Sequence, residues 1–294
     1  MSSRHLIRRG DELRVAAPAE LPADGVRRRF AVSGSDDAVH TGFAICELDP
    51  GQVGVSHVHS YEESAFILDG RVVLITSEGT FALEPGDYGV IPVGVPHVWK
   101  NLSAAPVRWA EMTAPQPRER HAGDTYGVPE LAEGLPVLVD VRDPRTRSFG
   151  HIDPSNMAVD RQTQDMLAVS ASMRTALLVY SGITVKMMVD ADLGAQLSTM
   201  FMVQYEPEGV AGRHDHPFEE TYLILEGSVD ATFDDATYHL EPGDIAWAGA
   251  GCVHGFVHPG PGVVRWLETQ APQPPARHSY RFARDWEYLP QQIT

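Results

Sequence analysis

The sequence predicts an all-β protein made of two copies of one barrel or sandwich unit joined by a connector. Two observations carry this reading. The chain repeats itself at a fixed offset of 157 residues, and each copy is written in short period-2 runs punctuated by Gly, Pro and Asp.

Length comes first. A chain of 294 residues accommodates two domains of ordinary size, each with its own core. The repeat then places them. HVHSYEESAFILDG from His57 to Gly70 returns as HDHPFEETYLILEG from His214 to Gly227, an offset of 214 − 57 = 157. Without a gap, LEPGD from Leu83 returns from Leu240, His97 falls on His254, Arg108-Trp109 on Arg265-Trp266, and APQP from Ala114 on APQP from Ala271. Candidate strands in the first copy are RRRFAVSG, TGFAICEL, ESAFILDGRVVLIT and YGVIPVG; in the second they are ITVKMMVD, STMFMVQY, ETYLILEGSVDATF and IAWAGAG. Between about Asp124 and Arg174 the pattern is mixed, so this stretch reads as a linker with some local helix or strand. The expected division is an N-terminal barrel over 1–123, a linker over 124–174 and a C-terminal barrel over 175–294. The twin APQP segments read as extended straps with no chemistry.

Composition excludes several partners. With 23 Lys+Arg against 40 Asp+Glu the formal charge is −17, which repels nucleic acid and anionic membranes and points to a small-molecule ligand. No apolar run approaches a membrane span, and the opening MSSRHLIRRGDELRV lacks the apolar core of a signal peptide, so a cytoplasmic location is expected. Cys46 and Cys252, the only cysteines, lie in different copies, and no disulfide framework is expected.

The chemistry sits in the histidines. The first copy reads Gly51-x5-His57-x-His59-x3-Glu63-x6-Gly70, then Gly86-x5-Pro92-x-Gly94-x2-His97-x3-Asn101. Residues i and i+2 of a strand share a face, so His57 and His59 project together; Glu63 returns from the next strand and His97 from a later one. The second copy repeats the set as His214, His216, Glu220 and His254. Three imidazoles and a carboxylate suit one divalent transition metal per copy, with Fe(II) the leading choice and Mn, Co, Ni, Cu or Zn as alternatives.

These two segments resemble the signature motifs of the cupin superfamily, and the first copy matches them at every fixed position. The resemblance covers the motif cores, roughly half the chain, and implies two tandem double-stranded β-helix (jelly-roll) barrels, a bicupin. The second copy departs at three places: Gly209 lies one residue nearer its first histidine than the family's leading glycine, Gly249 replaces the motif proline, and His258 replaces the motif asparagine. None is an expected ligand.

Cupin relatives include dioxygenases, decarboxylases, isomerases, aminohydrolases, storage proteins and sensors, and fold alone does not choose among them. The leading expectation is an oxygenase acting on a small organic substrate beside the metal. One alternative is a non-redox metalloenzyme: a decarboxylase, an isomerase, or an enzyme like the bicupin ureidoglycine aminohydrolases. That last family departs from this ligand set in its metal-binding barrel. Another is a metal-dependent binding or sensor protein. A homodimer is expected, because barrel edges and apolar faces are commonly covered by a partner. Strand parity puts Tyr222 on the face of Glu220, where the first copy has Ala65, and puts His258 in phase with His254. Tyr222 and His258 are therefore the candidate catalytic residues. Cys252 reads as a small filler, Met187, Met188, Met200 and Met202 as core packing, and Arg27, Arg28 and Arg29 as a half-solvated strand.

Overall fold

The computed structural model describes residues 4–14, 24–159, 180–273 and 281–282. Its strands run β1 (His5–Arg8), β2 (Arg27–Val32), β3 (Gly42–Leu48), β4 (His57–His59), β5 (Glu62–Asp69), β6 (Val72–Thr76), β7 (Gly79–Leu83), β8 (Asp87–Ile91), β9 (His97–Lys100), β10 (Val107–Ala114), β11 (Thr125–Gly127), β12 (Val137–Leu138) and β13 (Phe149–His151). They continue as β14 (Tyr180–Val189), β15 (Thr199–Asp215), β16 (Glu219–Glu226), β17 (Val229–Phe233), β18 (Ala236–Leu240), β19 (Ile245–Ala248), β20 (His254–Val257), β21 (Val264–Ala271) and β22 (Arg281–Phe282). Among the described residues, helix is confined to short 3-10 turns, and no helix is long and apolar enough to cross a membrane.

The N-terminal barrel closes two six-stranded sheets, β13-β8-β5-β10-β3-β2 and β11-β4-β9-β6-β7-β12. The C-terminal barrel is one continuous sheet in the order β1-β19-β16-β21-β15-β20-β17-β18, with β14 and β22 also on β15. The difference has a local cause. In the first copy the backbone turns at Gly51, with φ of 70°, and separates β3 from β4; in the second, β15 runs through the corresponding stretch. The left-handed residue there is Glu208, with φ of 64°, at the repeat's own position, and not the displaced Gly209. Gly209 serves close approach: a Cβ on it would lie 2.9 Å from the Glu206 carbonyl oxygen. Each barrel is filled around a fully buried tryptophan at equivalent positions, Trp109 and Trp266, with apolar side chains from both sheet faces.

The compact units exchange segments relative to the sequential division. One comprises Met1–Glu12, Pro154–Met187 and Met200–Thr294; the other Leu13–Asp153 and Met188–Thr199. Strand β1 pairs antiparallel with β19, His5 opposite Ala248, and so belongs to the C-terminal barrel. In the N-terminal barrel the equivalent edge, β8, is covered by β13 from the expected linker. Two more linker strands cap edges there, β11 on β4 and β12 on β7. Unpaired strand edges invite association with other chains, which gives these short segments their role. Residues 125–153 of the expected linker thus carry three short strands, and its residues 160–174 lie outside those described. Segment 188–199 is fastened to the N-terminal barrel by buried Glu62, which accepts the backbone N–H of Gln196 at 2.7 Å and of Ser198 at 3.1 Å.

One packing expectation needs correction, and another gains detail. Met188, Met200 and Met202 are buried, but Met187 alternates outward and is exposed. On β2, Arg27 pairs with Glu47 and Asp49 on the outer face, whereas Arg28 turns inward and is buried against Glu111 and Asp24.

Candidate metal centres

In both barrels the first and third histidines are cross-strand partners: His57 faces His97 and His214 faces His254. The loop entering the third histidine is also held identically. Gly94 donates its N–H to the His59 carbonyl and Gly251 to that of His216, both at 2.9 Å, with φ of 77° and 74°. These positive φ values explain the glycines, and they show that Gly249 in place of Pro92 leaves the turn intact.

The imidazoles are oriented from behind. Nδ1 of His57, His97, His214 and His254 each donates to the carbonyl two residues earlier, Val55, Val95, Gly212 and Cys252, at 2.6, 3.0, 2.8 and 3.0 Å. His216 Nδ1 donates to the Phe218 carbonyl at 3.0 Å. His59 Nδ1 donates to Thr125 Oγ1 at 3.0 Å, while that hydroxyl donates onward to the Gly123 carbonyl at 3.1 Å. A proton held on Nδ1 leaves a lone pair on Nε2, the state a metal ligand requires.

Those lone pairs converge on carboxylates. Glu63 Oε2 lies 3.1 Å from His59 Nε2 and 3.4 Å from His97 Nε2, and Glu220 Oε2 lies 2.8 Å from His216 Nε2 and 3.2 Å from His254 Nε2. All eight side chains are buried. Among the described residues, neither oxygen of Glu63 nor Nε2 of His97 has a hydrogen-bond partner. A buried carboxylate facing bare imidazole nitrogens is an arrangement of acceptors without donors, which a cation satisfies. The residues fit a divalent metal, and the three histidines of each barrel group tightly enough to hold one.

Electrostatics agrees. Burial, aided by neighbouring His97, pushes His57 down to about 4, and burial drives His214 well below its usual range. Burial alone would raise Glu63 and Glu220, but the adjacent imidazoles hold both well below the ordinary carboxylate range. A neutral His57 and His214 beside ionised glutamates are protonation states that bind metal, whereas at His97 burial is outweighed by Glu63, which raises the imidazole, a proton that metal binding would displace.

The two centres differ in what surrounds them. Beside the N-terminal one lies a buried ion cluster: Arg28 donates to Glu111 at 2.6 and 3.0 Å and also to Asp24, whose Oδ2 is 3.9 Å from His57 Nε2. Tyr61 stacks on His59 with ring centroids 4.1 Å apart, and its hydroxyl is 3.3 Å from His59 Nε2. Around the C-terminal centre the neighbours are aromatic. Phe218 stacks on His216 at 3.8 Å, and Tyr222, Phe233 and Phe256 ring His254 at about 6 Å. Tyr222 donates its hydroxyl to Glu220 Oε2, and Gln270 donates to Oε1 at 2.5 Å.

His258, expected near the reacting groups, is placed elsewhere. Its ring bridges the carbonyls of Ser228 and Gly262, each at 3.1 Å, much as Asn101 donates to the carbonyls of Leu48 and Ala105 at 2.9 and 2.8 Å. It replaces the motif asparagine in bracing a loop.

Sequence reasoning missed Arg28, Asp24, Thr125, Gln270 and the carboxylate pair Glu111 and Glu268. One signal was present: a glutamate at the same position in both copies of an otherwise apolar strand, RWAEMTA and RWLETQA. In the second copy Val185 replaces Arg28, so Glu268 has Trp266 Nε1 as its donor at 2.9 Å. Burial and the nearby Glu220 charge raise Glu268 well above the carboxylate range, whereas Glu111, also raised by burial but opposed by Arg28, reaches about 7.

No curated protein sequence matches the chain. The cupin domain model matches residues 44–113 and 201–269. Among solved structures, the chain is similar to a salicylate 1,2-dioxygenase from Pseudaminobacter salicylatoxidans, with a TM-score of 0.67 and 13% identity over 92% of this chain and 85% of that one. It is also similar to an oxalate decarboxylase point mutant from Bacillus subtilis, with a TM-score of 0.63 and 13% identity over 96% and 80%. A third similar structure is a Lactobacillus farciminis oxalate decarboxylase in complex with formate, with a TM-score of 0.60 and 16% identity over 96% and 89%. At these identities the likeness speaks to fold, and together with two matched cupin domains and two barrels on one motif it makes the chain a bicupin of the cupin superfamily.

Proposed function

We propose that this bicupin is a metal-dependent oxygenase that binds one divalent ion in each barrel, Fe(II) in preference to the other transition metals, and turns over a small organic substrate at the C-terminal centre. The observation that carries the choice of barrel is the setting of Glu220. It is anchored by Tyr222 and Gln270 and walled by Phe218, Phe233 and Phe256, whereas the N-terminal centre adjoins a self-neutralised Arg28–Glu111–Asp24 cluster. Aromatic walls favour an aromatic or apolar substrate over a small dicarboxylate. His214, His216, His254 and Glu220 would hold the Fe(II) ion, which would supply the redox chemistry that activates dioxygen. The chain's own contribution is to orient the imidazoles through their Nδ1 hydrogen bonds, fix the carboxylate through two donors, and present the Tyr222 phenol to orient a substrate or carry its proton.

The test is oxygen uptake by Fe(II)-loaded protein offered hydroxybenzoates, other phenols, diketones and oxalate, each repeated anaerobically. Uptake with an aromatic or diketone supports the reading. Substrate loss without oxygen overturns it in favour of a non-redox enzyme. That second reading has support of its own: burial and the nearby Glu220 charge push the Glu268 carboxyl well above the carboxylate range, which suits a proton donor in a decarboxylation. Binding without any turnover would reassign the chain as a sensor.

A further inference from the structure

Outside the two barrel centres, three side chains of different ligand chemistry meet at one place in the C-terminal unit. His5 comes from β1, Asp234 from the turn after β17, and Cys252 from the loop before β20, and their ligand atoms all lie within 4.8 Å of one another. We propose that these residues form a third metal site, for a divalent ion that favours mixed sulfur, nitrogen and oxygen ligands, such as zinc or cobalt. The site clips the N-terminal strand to the C-terminal barrel. It goes beyond the oxygenase reading and holds whether or not either barrel centre turns over.

The donor set is right for such an ion. Ligand atoms around one tetrahedral zinc lie within about 4 Å of one another, so only a small closure is needed. The His5 ring is already oriented: its Nε2 is 2.8 Å from the Tyr238 hydroxyl, and it stacks on Phe233 with centroids 5.6 Å apart and planes 19° from parallel. A hydrogen bond to one ring nitrogen of a histidine ligand is the usual way its orientation is set. On Asp234, the donors Arg4 Nη2 at 2.7 Å and Val253 N–H at 3.2 Å both fall on Oδ1, which leaves Oδ2 for a cation. Arg4 is the competing positive charge. It is more than half exposed, so it can move to solvent at little cost.

The cluster is not a remnant of the repeat. At the offset of 157, Asp234 and Cys252 correspond to Ser77 and Val95, and His5 precedes the repeated region. It exists only because β1 pairs with β19 and carries His5 to the barrel rim. The Cys252 carbonyl also accepts the Nδ1 proton of the metal-centre residue His254, so the same loop serves both sites.

Cobalt titration of the metal-free full chain tests the proposal, because neither barrel centre contains sulfur. The expected result is a third equivalent of Co(II), accompanied by a sulfur-to-cobalt charge-transfer band in the near ultraviolet. Cys252→Ser, which keeps the backbone carbonyl, should lose the band and the third equivalent while retaining two. Cys46→Ser should keep the band. His5→Ala, checked for folding by far-ultraviolet circular dichroism, should weaken the third site at least tenfold, and Arg4→Gln should tighten it. Binding of no more than two equivalents without a sulfur band overturns the proposal, as does a band that survives Cys252→Ser or disappears in Cys46→Ser.

Discussion

Replacing Tyr222 by phenylalanine removes one oxygen atom and tests where the chemistry occurs. The ring stays in place: it packs 4.9 Å from Phe256, 6.1 Å from Phe233 and 6.0 Å from His254 by centroids, and no packing volume the size of a methyl group is lost. What disappears is the donor to Glu220 Oε2. A hydrogen bond to a charged acceptor contributes about 1.5–3 kcal/mol. If about 1.4 kcal/mol of it, close to the lower bound, is realised only in the rate-limiting state, its loss slows turnover about tenfold. Glu220 remains a ligand because Gln270 still holds its other oxygen at 2.5 Å. The expected outcome is therefore a kcat lowered about tenfold, on whichever substrate the oxygen-uptake screen identifies, with metal content by elemental analysis unchanged. Unaltered kinetics would place the chemistry in the N-terminal barrel. Loss of one metal equivalent would mean that the phenol only positions the ligand.

Three further outcomes follow from the geometry, and a fourth from the dimer expected on sequence grounds. His57→Ala and His214→Ala should each remove about one barrel metal equivalent without affecting the other, because each centre is complete within its own barrel; a variant that empties both would contradict this. Arg28→Met strands the buried carboxylates of Glu111 and Asp24 and should cost about 3–5 kcal/mol in urea unfolding, with Glu111→Met added on top recovering part of the loss. Metal-free protein should lose stability as pH falls from 6.5 to about 4: His57 takes up its proton more readily unfolded than folded across that window, a loss of up to about 3 kcal/mol, visible in pH-dependent melts and absent if His57 is not buried neutral. Light scattering at micromolar concentration should give the mass of two chains, and a monomer would refute the expected dimer.

The repeat made the all-β character of both barrels, several of their strands and the eight candidate ligands readable from sequence, because these rest on local patterns: period-2 alternation and i, i+2 placement on a strand. What pairs at long range was not readable. Nothing in HLIR announces that β1 joins β19 rather than its neighbours in sequence, and nothing in TYG announces that Thr125 will hold His59. Parity succeeded for Tyr222, which lies mid-strand on β16, and failed for His258, which lies just past the end of β20 where alternation no longer applies. A half-solvated strand leaves open which of three arginines turns inward, and alternation on β2 supplies the answer, since the middle one faces opposite to its neighbours.

The two kinds of support around the centres explain why one part of the site was legible and the other was not. Four of the six imidazoles are oriented by a carbonyl two residues earlier, and a carbonyl is present whatever the side chain: valine at 55 and 95, glycine at 212 and cysteine at 252 serve alike. Ligand orientation is thereby decoupled from side-chain drift, so a duplicated motif can retain its metal-holding geometry while its neighbours diverge. Substrate-facing properties have no such insurance, since they depend on side chains. Exchanging Arg28 for Val185 at one repeat position changes the partner glutamate from an ion-paired group to Glu268, whose carboxyl burial and the Glu220 charge push up, and exchanging Ala65 for Tyr222 adds a phenol to the ligand carboxylate. Substitutions beside an unchanged ligand set thus give the two centres of one chain different surroundings.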